Sequence, residues 1–270
     1  MGIKFRIDPK WGSSKEQIWQ ENFAHLETRP RRIVVSRPLT IYLRYASYAA
    51  AIIVLMLTPF FYKTHFSTGM AEHSKFLLPD GSVVHLNADS RVSYKPLLWF
   101  TGRELYLEGE AYFEVEKGKL FTVSSKTGIV EVLGTTFNLF TRDAKLGVAC
   151  TSGSVKVTLA SSRQSQVIIG AGEYVELSDS LTLIKKEISQ AEYTSSWMEK
   201  RFNYNSTPLY DVLREIERQY NVVIIQKGTE NLFYSGKFSS DINVDELLEI
   251  VTLPFSLTIH KEDEKHFIVN

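Results

Sequence analysis

Eighteen consecutive residues without a formal charge, Tyr45 to Tyr62, divide this chain into a short N-terminal part and a long C-terminal one. The run reads YASYAAAIIVLMLTPFFY. As a helix rising about 1.5 Å per residue it spans roughly 27 Å, close to the hydrocarbon thickness of a bilayer. No other stretch comes near that length, so the sequence allows one crossing. Two other readings compete. A secretory signal has a short basic region and a small-residue cleavage site, whereas 44 residues precede this run and no A-x-A follows it. A buried core helix would be amphipathic or capped, and this run is apolar all round.

The flanks give the span a direction. Arg29, Arg31, Arg32, Arg37 and Arg44 precede it with no acid among them, while Lys63 and Lys75 beyond it are offset by Glu72 and Asp80. The positive-inside rule then puts the N-terminus in the cytoplasm and the long part in the periplasm. The net charge of zero hides the same asymmetry: residues 1–44 carry 9 basic and 4 acidic side chains, residues 63–270 carry 22 and 27. An acidic body does not call for nucleic acid. The basic tail suits anionic membrane lipid, and setting the topology is by itself a sufficient and simpler reason for it. Cys150 is the single cysteine, so no intramolecular disulfide supports the fold.

The tail holds one expected helix. Ser14 with Gln17 three residues on makes a capping-box pattern, and Ile18, Trp19, Phe23 and Leu26 share one face. A tail of this size has no core to receive them. Such a helix can lie on the membrane, fold onto a partner or remain partly disordered; because it is not Lys/Arg-rich, these four residues are the candidate contacts for a cytoplasmic partner.

From Lys75 to about Glu187 the chain reads as β. Short apolar-polar runs (Arg103 to Leu107, Glu110 to Val115, Phe121 to Ser124, Ile129 to Leu133 among them) are separated by glycine turns. That pattern indicates a sandwich, barrel or roll and not a parallel α/β sheet. From Phe202 the pattern changes. Thr207 caps an expected helix with Pro208 at its first position, followed by Leu209, Val212, Leu213, Ile216 and Tyr220 on one face. A second helix starts at Asn243, buries Val244, Leu247, Leu248 and Val251, and ends at Pro254. The expected class is mainly β plus a small α+β domain: a β-rich sandwich or roll, then a β-α-β-β-α-β unit with two helices on one face of a small sheet. The expected boundaries are a cytoplasmic tail 1–44, a transmembrane helix 45–62, a linker 63–74, a β domain 75–188, a linker 189–201 and an α+β domain 202–270.

Catalytic chemistry is not expected. Glu108, Glu110, Glu114 and Glu116 resemble a carboxylate cluster, but strand periodicity sets them with Tyr112 on one solvated face, opposite Leu107, Ala111, Phe113 and Val115. The six histidines have no metal-ligand spacing, although His260 and His266 could face each other across the last hairpin. Gly170-Ala171-Gly172 lacks the third glycine and following helix of a dinucleotide loop. Neither cofactor nor metal is expected.

Several motifs taken together resemble the FecR family. They are Leu78-Pro79-Asp80-Gly81-Ser82, Leu86-Asn87-Ala88-Asp89-Ser90, Leu107-Glu108-Gly109-Glu110-Ala111-Tyr112-Phe113-Glu114-Val115 and Val132-Leu133-Gly134-Thr135-Thr136-Phe137-Asn138. Gly153-Ser154-Val155 and Gly172-Glu173-Tyr174 extend the match. Trp197 and Phe202 to Leu209 resemble the start of the family's C-terminal domain, related to the short N-terminal domains of secretins and TonB-dependent receptors.

The resemblance implies an inner-membrane anti-sigma regulator. It would couple the signalling domain of a TonB-dependent outer-membrane receptor to an extracytoplasmic-function (ECF) sigma factor. Members typically carry a longer cytoplasmic region than the 44 residues found here, so that region is expected to be truncated. On the periplasmic side the strand-like segments holding Arg201, Phe202, Tyr204, Lys237 and Phe238 are the candidate receptor contacts, because sheet edges accept added strands. The rival is a membrane-anchored periplasmic scaffold without sigma-factor control.

Overall fold

The computed structural model describes residues 12–27, 39–178, 180–187 and 197–270. Arg29, Arg31, Arg32 and Arg37, which carry the orientation argument, lie outside the described residues, as do positions 189–196 of the expected second linker. The chain divides into two units, Met1–Val54 and Leu55–Asn270.

In the first unit, helix α1 (Lys15–Phe23) starts where the capping box places it. Ser14 Oγ accepts from the Gln17 N–H at 3.3 Å, and Gln17 Oε1 accepts from the Ser14 N–H at 2.9 Å. Helix α2 (Leu39–Phe61) begins six residues before the uncharged run and covers it up to Phe61, leaving Tyr62 outside; the division between units falls inside this helix. Its Leu39–Thr58 portion is long and apolar enough to cross a membrane, and none of it is buried by other parts of the protein.

The second unit begins with thirteen strands: β1 (Thr64–Thr68), β2 (Ser74–Leu77), β3 (Val83–Leu86), β4 (Ser90–Tyr94), β5 (Arg103–Glu114), β6 (Phe121–Ser124), β7 (Gly128–Val132), β8 (Thr136–Arg142), β9 (Lys145–Ser152), β10 (Ser154–Leu159), β11 (Ser162–Gly170), β12 (Glu173–Leu177) and β13 (Leu183–Glu187). They form two layers that share one strand. The first runs β1-β4-β5-β6-β7-β10-β11. The second runs β2-β3-β5-β8-β9-β12-β13. One core fills the space between them, with Val92, Leu107, Phe121 and Val157 from the first layer and Val84, Phe113, Leu139 and Val175 from the second.

Strand β5 makes this possible. The sequence separates Arg103–Leu107 from Glu110–Val115 at Gly109, but the strand continues through that glycine and changes layer. Glu108 pairs with Arg91 of β4, and Gly109 with Thr141 of β8. Gly109 has φ +105°, and a Cβ there would lie 2.7 Å from the Ser90 Cα, so only glycine lets the two strands approach. Segment 63–74, expected as a linker, supplies β1, whose Thr64 pairs with Tyr94.

The chain ends in β14 (Arg201–Pro208), α3 (Leu209–Tyr220), β15 (Val223–Gln226), β16 (Phe233–Ser239), α4 (Val244–Thr252), β17 (Ile259–Lys261) and β18 (His266–Val269). This is the expected α+β part, but its strands form two sheets and not one: an antiparallel β14-β16 pair, and β15-β18-β17 with β15 and β18 parallel. The side chain of Glu217 on α3 accepts from the Ile224 N–H at 2.7 Å and so occupies the edge of β15 away from β18. Leu213, Ile216, Leu247, Val251 and Phe267 form the core of this lobe. Asn243 caps α4 as expected, accepting from the Glu246 N–H at 2.8 Å. Thr207 does not cap α3. It still pairs with Tyr234 in the ladder, and Pro208 holds the capping position.

Candidate functional site

The outward face of β5 is where strand alternation alone misleads. Glu108 and Glu114 are exposed as alternation requires, but Tyr112 is buried, and Glu110 is half-buried with its carboxylate enclosed. The α+β lobe covers this part of the second layer. Trp197, Phe202 and Tyr112 form a small apolar cluster, with Tyr204 and Phe238 packed against it.

Beside that cluster lies a polar seam. Asn87 Nδ2 donates to Glu110 Oε2 at 2.8 Å, and Asn138 Nδ2 donates to Glu110 Oε1 at 2.7 Å. Each asparagine also accepts from the other lobe: Asn138 Oδ1 from Trp197 Nε1–H at 3.3 Å, and Asn87 Oδ1 from Gln219 Nε2 at 2.9 Å. On α3, Gln219 Nε2 also donates to Glu215 Oε1 at 2.8 Å, while Arg218 donates twice to Glu215 Oε2, at 2.9 and 2.8 Å. The β1–β2 connection closes the seam. The Ala71 N–H donates to the Arg218 carbonyl at 2.7 Å, and His73 Nε2 lies 3.1 Å from Gln219 Oε1.

Charge is concentrated here at low solvent access. Burial, then the nearby Glu215 carboxylate, raises the Glu110 pKa against the pull of Arg142 and the two asparagine amides. Burial lowers the Arg142 pKa, although its guanidinium donates to the carbonyls of Asp89 at 2.7 Å and Ala88 at 2.6 Å. The Tyr204 hydroxyl is enclosed without a hydrogen-bond partner, and burial followed by Glu215 pushes its pKa well above the usual range. A cleft of about 530 Å³ opens beside the seam, reached by Glu110, Lys145, Tyr204, Asp211 and Glu215. Cys150 takes no part; it is buried and its thiol is pushed up to about 11.

The candidate contact residues fall into distinct situations. Trp19, Phe23 and Leu26 are exposed and Ile18 half-buried; no residue of α1 is buried, and the Trp19 and Phe23 rings lie 5.0 Å apart. Phe202, Tyr204 and Phe238 gather on the face of β14 and β16 that meets Trp197, with the Phe202 and Phe238 rings stacked at 5.2 Å. Arg201 and Lys237 are exposed, and Arg201 pairs with Glu199. The histidine pair does not form: His260 stands opposite Ile268, and His266 turns to Asp263 at 2.8 Å.

Sequence reasoning missed Glu110, Asn138 and Asn87 as seam residues. One signal was available. Asn138 interrupts the apolar strand Phe137 to Phe140, and Asn87 sits between Leu86 and Ala88. A polar side chain between apolar neighbours, within a strand as Asn138 or just past one as Asn87, marks a covered face.

The FecR protein family model matches residues 64–156, and the model described as FecR, C-terminal matches residues 201–269. Two crystal structures of a candidate anti-sigma factor from Parabacteroides distasonis ATCC 8503 share the architecture. One has a TM-score of 0.69 at 25% identity and the other 0.68 at 24%, and each match covers 77% of this chain and 98% of the neighbour. No curated protein matches the chain. With a family model matched in each of the two lobes, together over more than half of its length, the chain belongs to the FecR family.

Proposed function

We propose that this chain is a single-pass membrane regulator of anti-sigma type. The observation that carries the reading is α1: a helix N-capped by Ser14, with Trp19 and Phe23 exposed on it and Leu26 exposed in the 3-10 turn Ala24–Glu27 that follows, and with no buried residue of its own. An apolar face on a short helix is costly to leave in water and suits a groove on a partner. The neighbour's description as a candidate anti-sigma factor supports a sigma factor as that partner, and the family resemblance narrows it to the ECF class. The one helix among the described residues that is long and apolar enough to cross a membrane, and the arginines before it, support an anchor in the inner membrane with the tail in the cytoplasm and the body in the periplasm.

The periplasmic input is the signalling domain of a TonB-dependent receptor, docking on the exposed side of the β14-β16 pair at Arg201 and Lys237. Regulation is differential binding: a partner favours one state of the body and thereby changes what the tail holds. The seam is the natural two-state element. Its Glu110, Glu215, Arg142 and Arg218 groups gain water when the lobes part, which offsets the hydrogen bonds lost.

Replacing Trp19 and Phe23 together with alanine tests the reading. Sigma-dependent transcription is expected to change while the membrane level of the protein stays constant, and co-purification of the sigma factor is expected to be lost. Unchanged transcription would favour the scaffold. For orientation, a membrane-impermeant thiol reagent is expected to label a cysteine at Ser67 but not at Ser36; the reverse pattern would refute the topology.

A further inference from the structure

The end of the β lobe at which β1 begins carries an apolar rim built on a rigid support. Only Tyr62 and Lys63 separate Phe61, the end of α2, from Thr64, so the chain places β1 within about 11 Å of the helix end. Thr64 pairs with Tyr94, and the loop Lys95–Gly102 follows at once. Within that loop Trp99 is 3% exposed, with its ring 5.2 Å from Tyr94 and 6.0 Å from Phe121, while Phe100 is 80% and Leu97 55% exposed. The loop is held by its own bonds, from the Thr101 N–H and hydroxyl to the Leu98 carbonyl and from the Trp99 N–H to the Pro96 carbonyl.

A second segment lies alongside. The Lys119 ammonium is 3.5 Å from the Phe100 carbonyl, Arg103 donates to the Lys119 carbonyl, and the neighbouring Leu120 is exposed. The Gly118 N–H donates to the carbonyl of Leu133, which is also exposed. Lys63, Lys117 and Lys119 are exposed around these residues and Lys95 is half-buried; the acids at this end are Glu104 and Glu116, with Asp80 paired to Arg103 and Glu131, beside Leu120 and Leu133, paired to Lys156.

We infer that this rim rests in the surface of the same bilayer that α2 crosses, with Phe100, Leu97 and Leu120 entering the acyl boundary and the lysines meeting anionic headgroups. Two features favour lipid over another protein. Strand β1, which follows the membrane span after only two residues, pairs at Thr64 with Tyr94 just before the rim loop, so the connection is too short to carry the rim away. Its composition, large apolar side chains ringed by long ammonium-tipped ones, is that of an interfacial contact. Held there, the β lobe would have a defined distance from the membrane, and a partner binding it would act against a fixed base. The inference rests on the reading of α2 as a crossing helix.

The test uses the full chain in vesicles of phosphatidylcholine with phosphatidylglycerol. Cys150 is buried, so a single introduced cysteine labels selectively. An environment-sensitive fluorophore is attached at Phe100→Cys or, as control, at Lys126→Cys in the exposed β6–β7 turn at the far end of the same strands. Doxyl-labelled phosphatidylcholine is expected to quench the probe at position 100 several-fold more than that at 126. Lys117→Glu with Lys119→Glu is expected to reduce that quenching in vesicles containing phosphatidylglycerol. Equal, weak quenching at both positions in protein that floats with the vesicles would overturn the rim alone. A blue-shifted but unquenched probe would identify a second protein copy as the occupant and overturn it too. Protein that alkaline washing strips from the vesicles would overturn the crossing, and the rim with it.

Discussion

Gln219 Nε2 donates to Asn87 Oδ1 at 2.9 Å, joining residues 132 positions apart and tying helix α3 to the turn between β3 and β4. Asn87 in turn donates to Glu110, and Gln219 to Glu215, so one hydrogen bond links the buried carboxylate of each lobe to the other. The two lobes therefore share one polar network, and perturbing either side strands groups on both.

Glu110→Ala removes the acceptor of two buried asparagine amides. Stranding them is expected to cost about 2–4 kcal/mol. Glu108→Ala, two residues along the same strand but exposed, is expected to stay within about 0.5 kcal/mol of the parent. Chemical denaturation of the two-lobed body that follows α2 measures both; equal effects would mean that the Glu110 carboxylate is solvated.

The raised Glu110 pKa sets a pH dependence with a definite sign. The native state holds this proton more tightly than the unfolded chain, where the value is the usual 4.5. Stability from this group is complete below that value and is lost as pH rises through the raised native one. The parent is therefore expected to lose stability relative to Glu110→Gln on going upward from about pH 4.5, and then to level off. Denaturation of both proteins from about pH 4 to about pH 8 checks this, and a difference that grows in the parent's favour with rising pH would contradict it.

Gly109→Ala places a Cβ 2.7 Å from the Ser90 Cα at a φ of +105°. Strain and overpacking together are expected to cost about 2–4 kcal/mol. Gly170→Ala, whose Cβ meets only the Glu173 carboxylate at 3.6 Å, is the matched control. A drop in melting temperature for the first variant alone is the expected outcome.

Arg103 holds the β2–β3 turn and the Lys117–Leu120 segment together. It donates to Asp80 Oδ2 at 2.8 Å and to the Glu116 carbonyl at 2.9 Å, with side-chain exposures of 8% for Arg103 and 14% for Asp80. Arg103→Met leaves Asp80 without its cation and is expected to cost about 3–5 kcal/mol; Asp80→Leu added to it is expected to restore part of that loss. A double-mutant cycle by chemical denaturation measures the coupling, and simple additivity would show that the pair does not interact.

Local rules made much of this protein legible. The capping box of α1 rests on residues three apart, and the apolar span of α2 on an uninterrupted run; neither needs the rest of the chain. The alternation in β5 correctly turned Leu107, Ala111 and Phe113 inward, because side-chain direction along a strand is set by the pleat. The glycine-punctuated strands and the change of period after Phe202 likewise gave the class: a mainly β body followed by a small α+β part. What alternation leaves undetermined is what covers the outer face of a sheet. Glu108 and Glu110 are equivalent by period, yet one meets water and the other meets Asn87 and Asn138 beneath a second lobe. The same holds for Phe202 and Tyr204, which local pattern marks only as strand residues and which packing turns toward Trp197. The change of layer at Gly109 and the split of the last strands into two sheets were also decided in three dimensions. Each depends on which distant strand arrives alongside, and that is set by the packing of the whole core and not by any short window of sequence.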